Sequence, residues 1–302
     1  MSLSAELPDP TANLLELLDL SNADGAQTDE DIFVGVSERQ PRQRVFGGQV
    51  LAQSLIAAIR TVDADRPVHS MHGYFLRPGD AEQPITFGVE RLRDGRSFSA
   101  RRSHAYQNGV PILSMIASFQ TPDSGIDHQA AMPEDMPDPE SLPSTADLLG
   151  GFDHPVAKSW ANDRPFDVRH VDGGIYVSVQ GERVAQQAVW MKTFGPMPED
   201  PNLHRAALAY ASDYTLLEPS LRRHGLSWIS KGLNVASLDH AMWWHRPVRV
   251  DEWLLYVQDS PSAQGARGLS TGRFFNRDGV LVASVAQEGM IRIPEGTLAE
   301  HR

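Results

Sequence analysis

The chain has no cysteine in its 302 residues. That excludes disulfides, a thiolate nucleophile and thiolate metal ligation, and it fits a reducing, cytoplasmic setting without requiring one. No apolar run reaches about 18 residues, so no membrane span is expected. The first 30 residues carry neither a basic n-region nor an apolar h-region, so no signal peptide is expected. Basic residues are missing from two long stretches: residues 1–31 and 121–157 each hold eight acids and no Lys or Arg. Elsewhere 23 acids face 27 bases, so the net charge of −12 conceals a mildly basic remainder. Such a remainder tolerates a polyanionic small molecule. It is too weakly basic to argue for nucleic acid, and no aromatic and basic residues interleave. Metal-site spacing is also lacking. His69 and His72 point to opposite faces of a strand, and His240 and His245 lack a helical H-E-x-x-H context. No nucleotide fingerprint follows a strand. Neither a metal nor a cofactor is expected.

What is present is a duplication. VASLDHAMWWHRP (235–247) reads as one long strand, with Ser237, Asp239 and Trp243 on one face and His240, Met242 and Trp244 on the other. Residues 68–78, VHSMHGYFLRP, share its Val, Ser, His, paired aromatics and Arg-Pro. Downstream, GVPILSMIASFQ (109–120) matches GVLVASVAQEGM (279–290), each behind a hairpin signal, Asn108-Gly109 and Asp278-Gly279. The copies lie 169 to 170 residues apart, too far for a solenoid repeat of about 20–50 residues. A helical run precedes each copy, at 47–62 and 202–217. The first is apolar nearly all round and is expected to be buried on most sides.

The strands of copy one are expected at about 67–77, 83–93, 97–107 and 110–120, after a short amphipathic helix at 11–20 and a strand at 31–37. Copy two is expected to begin near Pro165, with strands near 166–171 and 184–194. Its helix follows, then strands near 232–246, 250–258, 266–276 and 280–293. The six prolines and eight acids of residues 121–157 predict a mobile, protease-sensitive linker. The expected division is an N-terminal domain 1–120, a linker 121–157 and a C-terminal domain 158–302 that carries the site. The pattern is a helix plus a four-strand meander, twice, an α+β chain built by duplication.

The copies differ where chemistry is possible. Asp213 has Ala209, Tyr210, Leu216 and Leu217 on its own helical face, an acid on an apolar stripe. The helix of copy one has no Asp or Glu, and Gln53 is its loosely equivalent residue. Gln287 shares a strand face with Leu281, Ala283, Val285, Gly289 and Ile291, where copy one has Ala117. Burying such groups unpaired costs about 1–3 kcal/mol each. Their presence in one copy suggests that they face each other or a shared polar ligand. A buried Asp–Gln hydrogen bond that only fixes packing accounts for them equally well.

Several segments together carry a resemblance: RVFGGQV, SMHGYFLRPGD, SDYTLLEP, SLDHAMWWHRP and AQEGMIR. In this order, over about residues 15–295, they resemble the type II acyl-CoA thioesterases, the TesB-like double-hotdog family. The resemblance implies two hotdog domains, each an antiparallel sheet wrapped on a helix, whose sheets join into one continuous sheet. It implies hydrolysis of fatty acyl-CoA by directly activated water, with no acyl-enzyme. It places the family's catalytic Asp on Asp213, its Gln on Gln287 and its hydroxyl residue on Ser237. Asp213 would be the general base, with Ser237 and Gln287 orienting the water. Gly47 and Gly48 are candidate oxyanion donors that the sequence cannot place beside Asp213. Asp239 and His240 are neighbours of Ser237 that could support it, or could be surface and core-capping groups. The expected partner is an acyl-CoA substrate, and a homo-oligomer is expected.

Three rivals stand beside this reading. Gly268-Leu-Ser270-Thr-Gly272 matches G-x-S-x-G, which works only at a strand-to-helix elbow with an acid and then a His downstream. Strand-like residues follow here, and the one later His is His301. A hotdog enoyl-CoA hydratase would need a His five residues after the helix Asp, where this chain has Glu218. An acyl-CoA-binding or regulatory hotdog protein without turnover would explain the fold but not the gathering of Asp213, Ser237 and Gln287 in one copy.

Overall fold

A computed structural model describes residues 9–22, 30–41 and 43–294. The expected strands at 31–37 and 110–120 appear as β2 (Asp31–Gly35) and β6 (Val110–Gln120), and the helix at 47–62 as α2 (Gly47–Ile59). Between α2 and β6 run β3 (Val68–Phe75), β4 (Ile85–Asp94) and β5 (Phe98–Gln107). The second half repeats the plan. β7 (Phe166–His170) and β8 (Gln186–Thr193) precede α5 (Pro201–Ser212) and α6 (Glu218–Arg223). β9 (Asn234–Ser237), β10 (Asp239–Trp244), β11 (Leu254–Gln264), β12 (Arg267–Asn276) and β13 (Leu281–Arg292) complete it. α1 (Pro10–Leu18) tucks Leu14, Leu17 and Leu18 into the core, and a short β1 (Ser21–Asn22) extends the sheet edge.

All strands lie in one antiparallel sheet of 13, in the order β1-β2-β4-β5-β6-β3-β10-β13-β12-β11-β8-β7, with β9 also paired to β13. The seam between the halves is β3 against β10, running from Asp239 opposite Tyr74 to Trp243 opposite Ser70. α2 and α5 lie side by side in the trough of this sheet. Ten of the 13 residues of α2 are apolar or glycine, and from Gly48 to Ala58 each one is buried, as a helix surrounded by protein requires. This is the double-hotdog fold.

The structure departs from the sequence expectation in four places. First, the helix expected over 202–217 ends at Ser212. Asp213 caps it, and α6 restarts at Glu218 with Pro219 in its first turn. Pro219, without an N–H, suits the first turn of a new helix, so α6 begins there instead of continuing α5.

Second, the long strand 235–247 is split. Ser237 pairs with Gly289, but Ala241 pairs with Ala286, so one extra residue, Leu238, has entered this strand. It is a β-bulge whose loose main chain bonds both neighbours: Leu238 N–H to Glu288 O at 2.9 Å and Phe75 N–H to Leu238 O at 2.9 Å. The bulge shifts the alternation by one. Ser237 therefore faces the helices together with His240, and Asp239 faces the other side.

Third, Gln53 is not the counterpart of Asp213. Aligning the two helices by their starts or by their ends puts Asp213 opposite Ile59 or Arg60. Gln53 sits mid-helix, donating to the carbonyls of Leu17 and Val36, both at 2.8 Å. The Ala117 equivalence is consistent with the ladders, since Ala117 pairs with Met71 on the other side of the seam.

Fourth, residues 121–157 are not free along their length. The segment carries a 3-10 turn (Pro139–Ser141), α3 (Thr145–Leu149) and the start of α4 (Pro155–Asn162). Trp190 Nε1–H donates to Pro137 O at 3.0 Å and Trp253 Nε1–H to Glu140 Oε1 at 2.7 Å. Arg169 donates to the carbonyls of Pro139 (2.9 Å) and Leu142 (3.1 Å). Met132, Met136 and Leu142 pack on Trp190, Trp253, Leu255 and Phe275. A segment too polar to build a core of its own is thus laid over the outer face of a sheet that supplies both the apolar surface and the donors. Limited proteolysis should therefore cut the exposed residues 122–128 before 132–150. Early cuts confined to 132–150 would contradict this packing.

Candidate active site

Asp213 follows the last residue of α5, where the main chain has left the helical hydrogen-bond pattern and the side chain turns toward the start of α2. Its Oδ1 accepts two hydrogen bonds, from Gln287 Nε2 at 2.7 Å and from Ser237 Oγ at 3.2 Å. The Gly48 N–H, one of the amides left free at a helix start, also donates to the carboxylate. The three side chains come from an inter-helix turn, a bulged strand and the central strand β13. The structure brings together the three residues the sequence singled out.

The approach of α2 to α5 explains the two glycines. A Cβ on Gly48 would stand 2.2 Å from the carbonyl oxygen of Tyr210, and one on Gly47 would stand 2.5 Å from Asp213 Oδ2. Neither distance is tolerable for carbon against oxygen. Only glycine lets the first turn of α2 reach the last turn of α5, and so lets the Gly48 amide reach the carboxylate.

Electrostatically the site favours a reluctant acid. Burial pushes the Asp213 carboxyl up to about 6, against the lowering effect of its Gln287, Ser237 and Gly48 hydrogen bonds. Asp213 and Ser237 keep partial exposure, so the group is desolvated yet reachable. Gln287 is buried, and its Oε1 has no protein partner. With Nε2 committed to Asp213, that oxygen is a buried acceptor without a protein donor.

An aromatic wall adjoins the acid. The Phe46 ring stacks on Tyr214 at 5.1 Å and meets Tyr210 edge-on at 5.0 Å. The Arg164 guanidinium lies 4.5 Å from the Tyr214 ring and 4.6 Å from Trp160. The Tyr210 hydroxyl donates to Glu38 Oε2 at 2.9 Å, and burial raises the Glu38 carboxyl above its ordinary range. Glu38, Arg164 and Tyr210 meet here without any sign in the sequence. They belong to three separate segments, and nothing in a linear pattern signals their meeting.

The remaining candidates separate cleanly. Asp239 turns away from Asp213 and caps the bulge, accepting Glu288 N–H at 2.7 Å. His240 faces inward but bonds Ser212, at 2.9 Å, rather than the trio. Ser270 of the G-x-S-x-G match lies within β12, paired to Gln287 on the neighbouring strand, with no elbow and no histidine partner. Glu218 is occupied by donors from His170 (2.8 Å), Gln187 (2.9 Å) and Trp228 (2.8 Å). No helix among the described residues is long and apolar enough to cross a membrane.

The comparisons with known proteins agree with this geometry. Residues 159–290 match the family model described as acyl-CoA thioesterase, and residues 36–120 match that of the acyl-CoA thioesterase N-terminal domain. The chain is 40% identical over 292 residues to acyl-CoA thioesterase 2 of Haemophilus influenzae, covering 94% of this chain and 98% of that one. It is 38% identical over 297 residues to human acyl-coenzyme A thioesterase 8, covering 94% and 92%. The crystal structure of the acyl-CoA thioesterase II TesB2 of Mycobacterium marinum superposes with a TM-score of 0.75 at 45% identity, over 94% of this chain and 99% of that one. With both halves matched and 94% of its length spanned by such relatives, the chain belongs to the acyl-CoA thioesterase family, in the double-hotdog form of the bacterial TesB-type enzymes.

Proposed function

We propose that this protein hydrolyses acyl-CoA thioesters to the free acid and CoA by direct attack of a water molecule. The observation that carries the reading is the Asp213 carboxylate, raised by burial and held by Ser237 and Gln287 in one half of a duplicated fold. Asp213 takes a proton from the water as its oxygen bonds to the thioester carbonyl carbon. Ser237 and Gln287, which hold the carboxylate, also hold that water in line, which supplies proximity. The start of α2 places its partial positive charge beside the same space, favouring the oxyanion. The intermediate collapses by breaking its C–S bond, and the proton held by Asp213 passes to the departing CoA sulfur.

The relatives' names support the substrate class, and the committed Glu218 speaks against a hydratase. The division into 1–120, 121–157 and 158–302 belongs to this reading, as does a homo-oligomer, for which Tyr74 and Ile116, exposed on adjacent strands, offer apolar surface. A cytoplasmic setting belongs to this reading too, and the lack of cysteine is compatible with it. Thiol release from a chain-length series of acyl-CoAs tests the activity. If every acyl-CoA bound and none released thiol, the protein would be a binder without turnover.

The pH dependence follows from the raised acid. The base must be ionised, so kcat/KM should rise with pH through about 6 and then level off. An acid limb centred near 4, the ordinary carboxylate value, would remove Asp213 from the role.

A further inference from the structure

The trio fixes the Asp213 carboxylate, but none of its members holds the main chain that carries it. Ser212, the preceding residue, is fully buried. Its hydroxyl donates to Ala209 O at 2.9 Å and lies 2.9 Å from His240 Nε2. A hydroxyl has one proton, and this one is used, so His240 is the donor and carries its proton on Nε2. Complete burial pushes the imidazole down to about 3, which keeps it neutral at working pH. From another strand, the buried Tyr256 hydroxyl donates to the Ser212 carbonyl at 3.1 Å. β10 thus grips the hydroxyl of Ser212 and β11 its carbonyl.

The duplication provides an internal control. The strand registers place Met71 opposite His240, because Met71 pairs with Ala117 as His240 faces Gln287. They place Phe87 opposite Tyr256, because Phe87 pairs with Ala105 as Tyr256 pairs with Phe274. Val68 falls opposite Ser237, since each directly precedes its strand's extra residue. Ser212 falls opposite Ala58 or Ile59. The half without the carboxylate therefore has apolar side chains at these places and none of these polar atoms. If Ser212, His240 and Tyr256 only satisfied one another in a core, nothing would tie them to the half that carries Asp213.

We propose that Ser212, His240 and Tyr256 form a clamp that fixes the last turn of α5 and thereby aims the Asp213 carboxylate at Ser237 and Gln287 and keeps it from turning to bulk water. They are positioning residues. The inference rests on the reading of Asp213 as the base.

The test uses Tyr256→Phe and His240→Met, the side chains that the other half tolerates at matching places, with His240→Gln as the variant that keeps an amide donor. Titration of the Asp213 carboxyl is followed by carbon-13 NMR, and kcat and KM by thiol release. Loosening the clamp should lower the Asp213 titration midpoint by about one unit as the carboxylate gains water. It should also lower kcat by about 10- to 100-fold with KM within about twofold, and His240→Gln should restore most of both. If His240→Met does not fold, Tyr256→Phe and Ser212→Ala carry the same test. A midpoint and a kcat that stay at the wild-type values in the folded variants, singly and combined, would overturn the clamp. The NMR titration reports on the clamp even if the wild-type protein releases no thiol, whereas that outcome would count against the base reading alone.

Discussion

Asp213→Asn should lower thiol release from acyl-CoA by about 10²–10⁴-fold, the usual contribution of a general base, while substrate binding survives. The same substitution should make the fold more stable, and the sign can be worked out. Burial holds the folded-state carboxyl at about 6, and the unfolded one titrates near the ordinary aspartate value of 3.8. Between those values the folded chain binds the extra proton. The contribution of this group is therefore most favourable below about 3.8 and is lost as pH rises through about 6. At pH 7 to 8 the ionised Asp213 is a burden of at most about 3 kcal/mol, less to the extent that the partly exposed carboxyl meets solvent. Asparagine keeps the shape and an acceptor for Gln287 and Ser237 and has no charge to desolvate. Urea unfolding of the two proteins at pH 7.5 measures this. A variant with more than half of the wild-type turnover, or one clearly less stable than wild type at that pH, would contradict the role assigned to Asp213. Gln287→Ala should reduce turnover less, because Ser237 shares the positioning of the water.

Gly48→Ala should be strongly disruptive. Its Cβ would lie 2.2 Å from the main-chain oxygen of Tyr210, and a helix backbone cannot swing aside as a side chain can. α2 and α5 must separate, at a cost of about 1–3 kcal/mol for overpacking. The loss of activity should exceed what that instability explains, because separation withdraws the Gly48 amide from Asp213. An effective loss of about 10²-fold or more is expected. The measurement is kcat at a temperature where circular dichroism shows the variant folded. Wild-type turnover there would mean that the helix contact is packing alone.

The elements themselves were legible in the chain because they obey local rules. Asn-Gly and Asp-Gly marked the hairpins β5–β6 and β12–β13, and the repeat of one half in the other marked the strands around them. The two copies could be aligned because a hairpin fixes register and a one-residue slip would turn every apolar side chain outward. That alignment is why Gln287 opposite Ala117, and Asp213 on an apolar helix face, stood out before any contact was known. The thioesterase motifs then gave these residues their roles, which spacing alone had not.

What only the tertiary structure decided depends on contacts between segments far apart in the chain. The inserted Leu238 is invisible locally, since a bulge is defined by the partner strand, yet it moves Ser237 to the face of Asp213. The end of α5 at Ser212 serves a carboxylate that must point at a strand and at another helix. Gly47 and Gly48 read as a helix start, and only the carbonyl of Tyr210, 162 residues beyond Gly48, shows why no side chain fits there. Residues 132–150 looked too acidic and too rich in proline to order. They are held by indole and guanidinium donors of β7, β8 and Trp253, so the apolar surface they need is supplied by the C-terminal sheet rather than by their own sequence. Local propensity and periodicity are properties of a segment and survive in its sequence. Register shifts, close helix approaches and buried donors are properties of pairs, and they exist only once the pair has met.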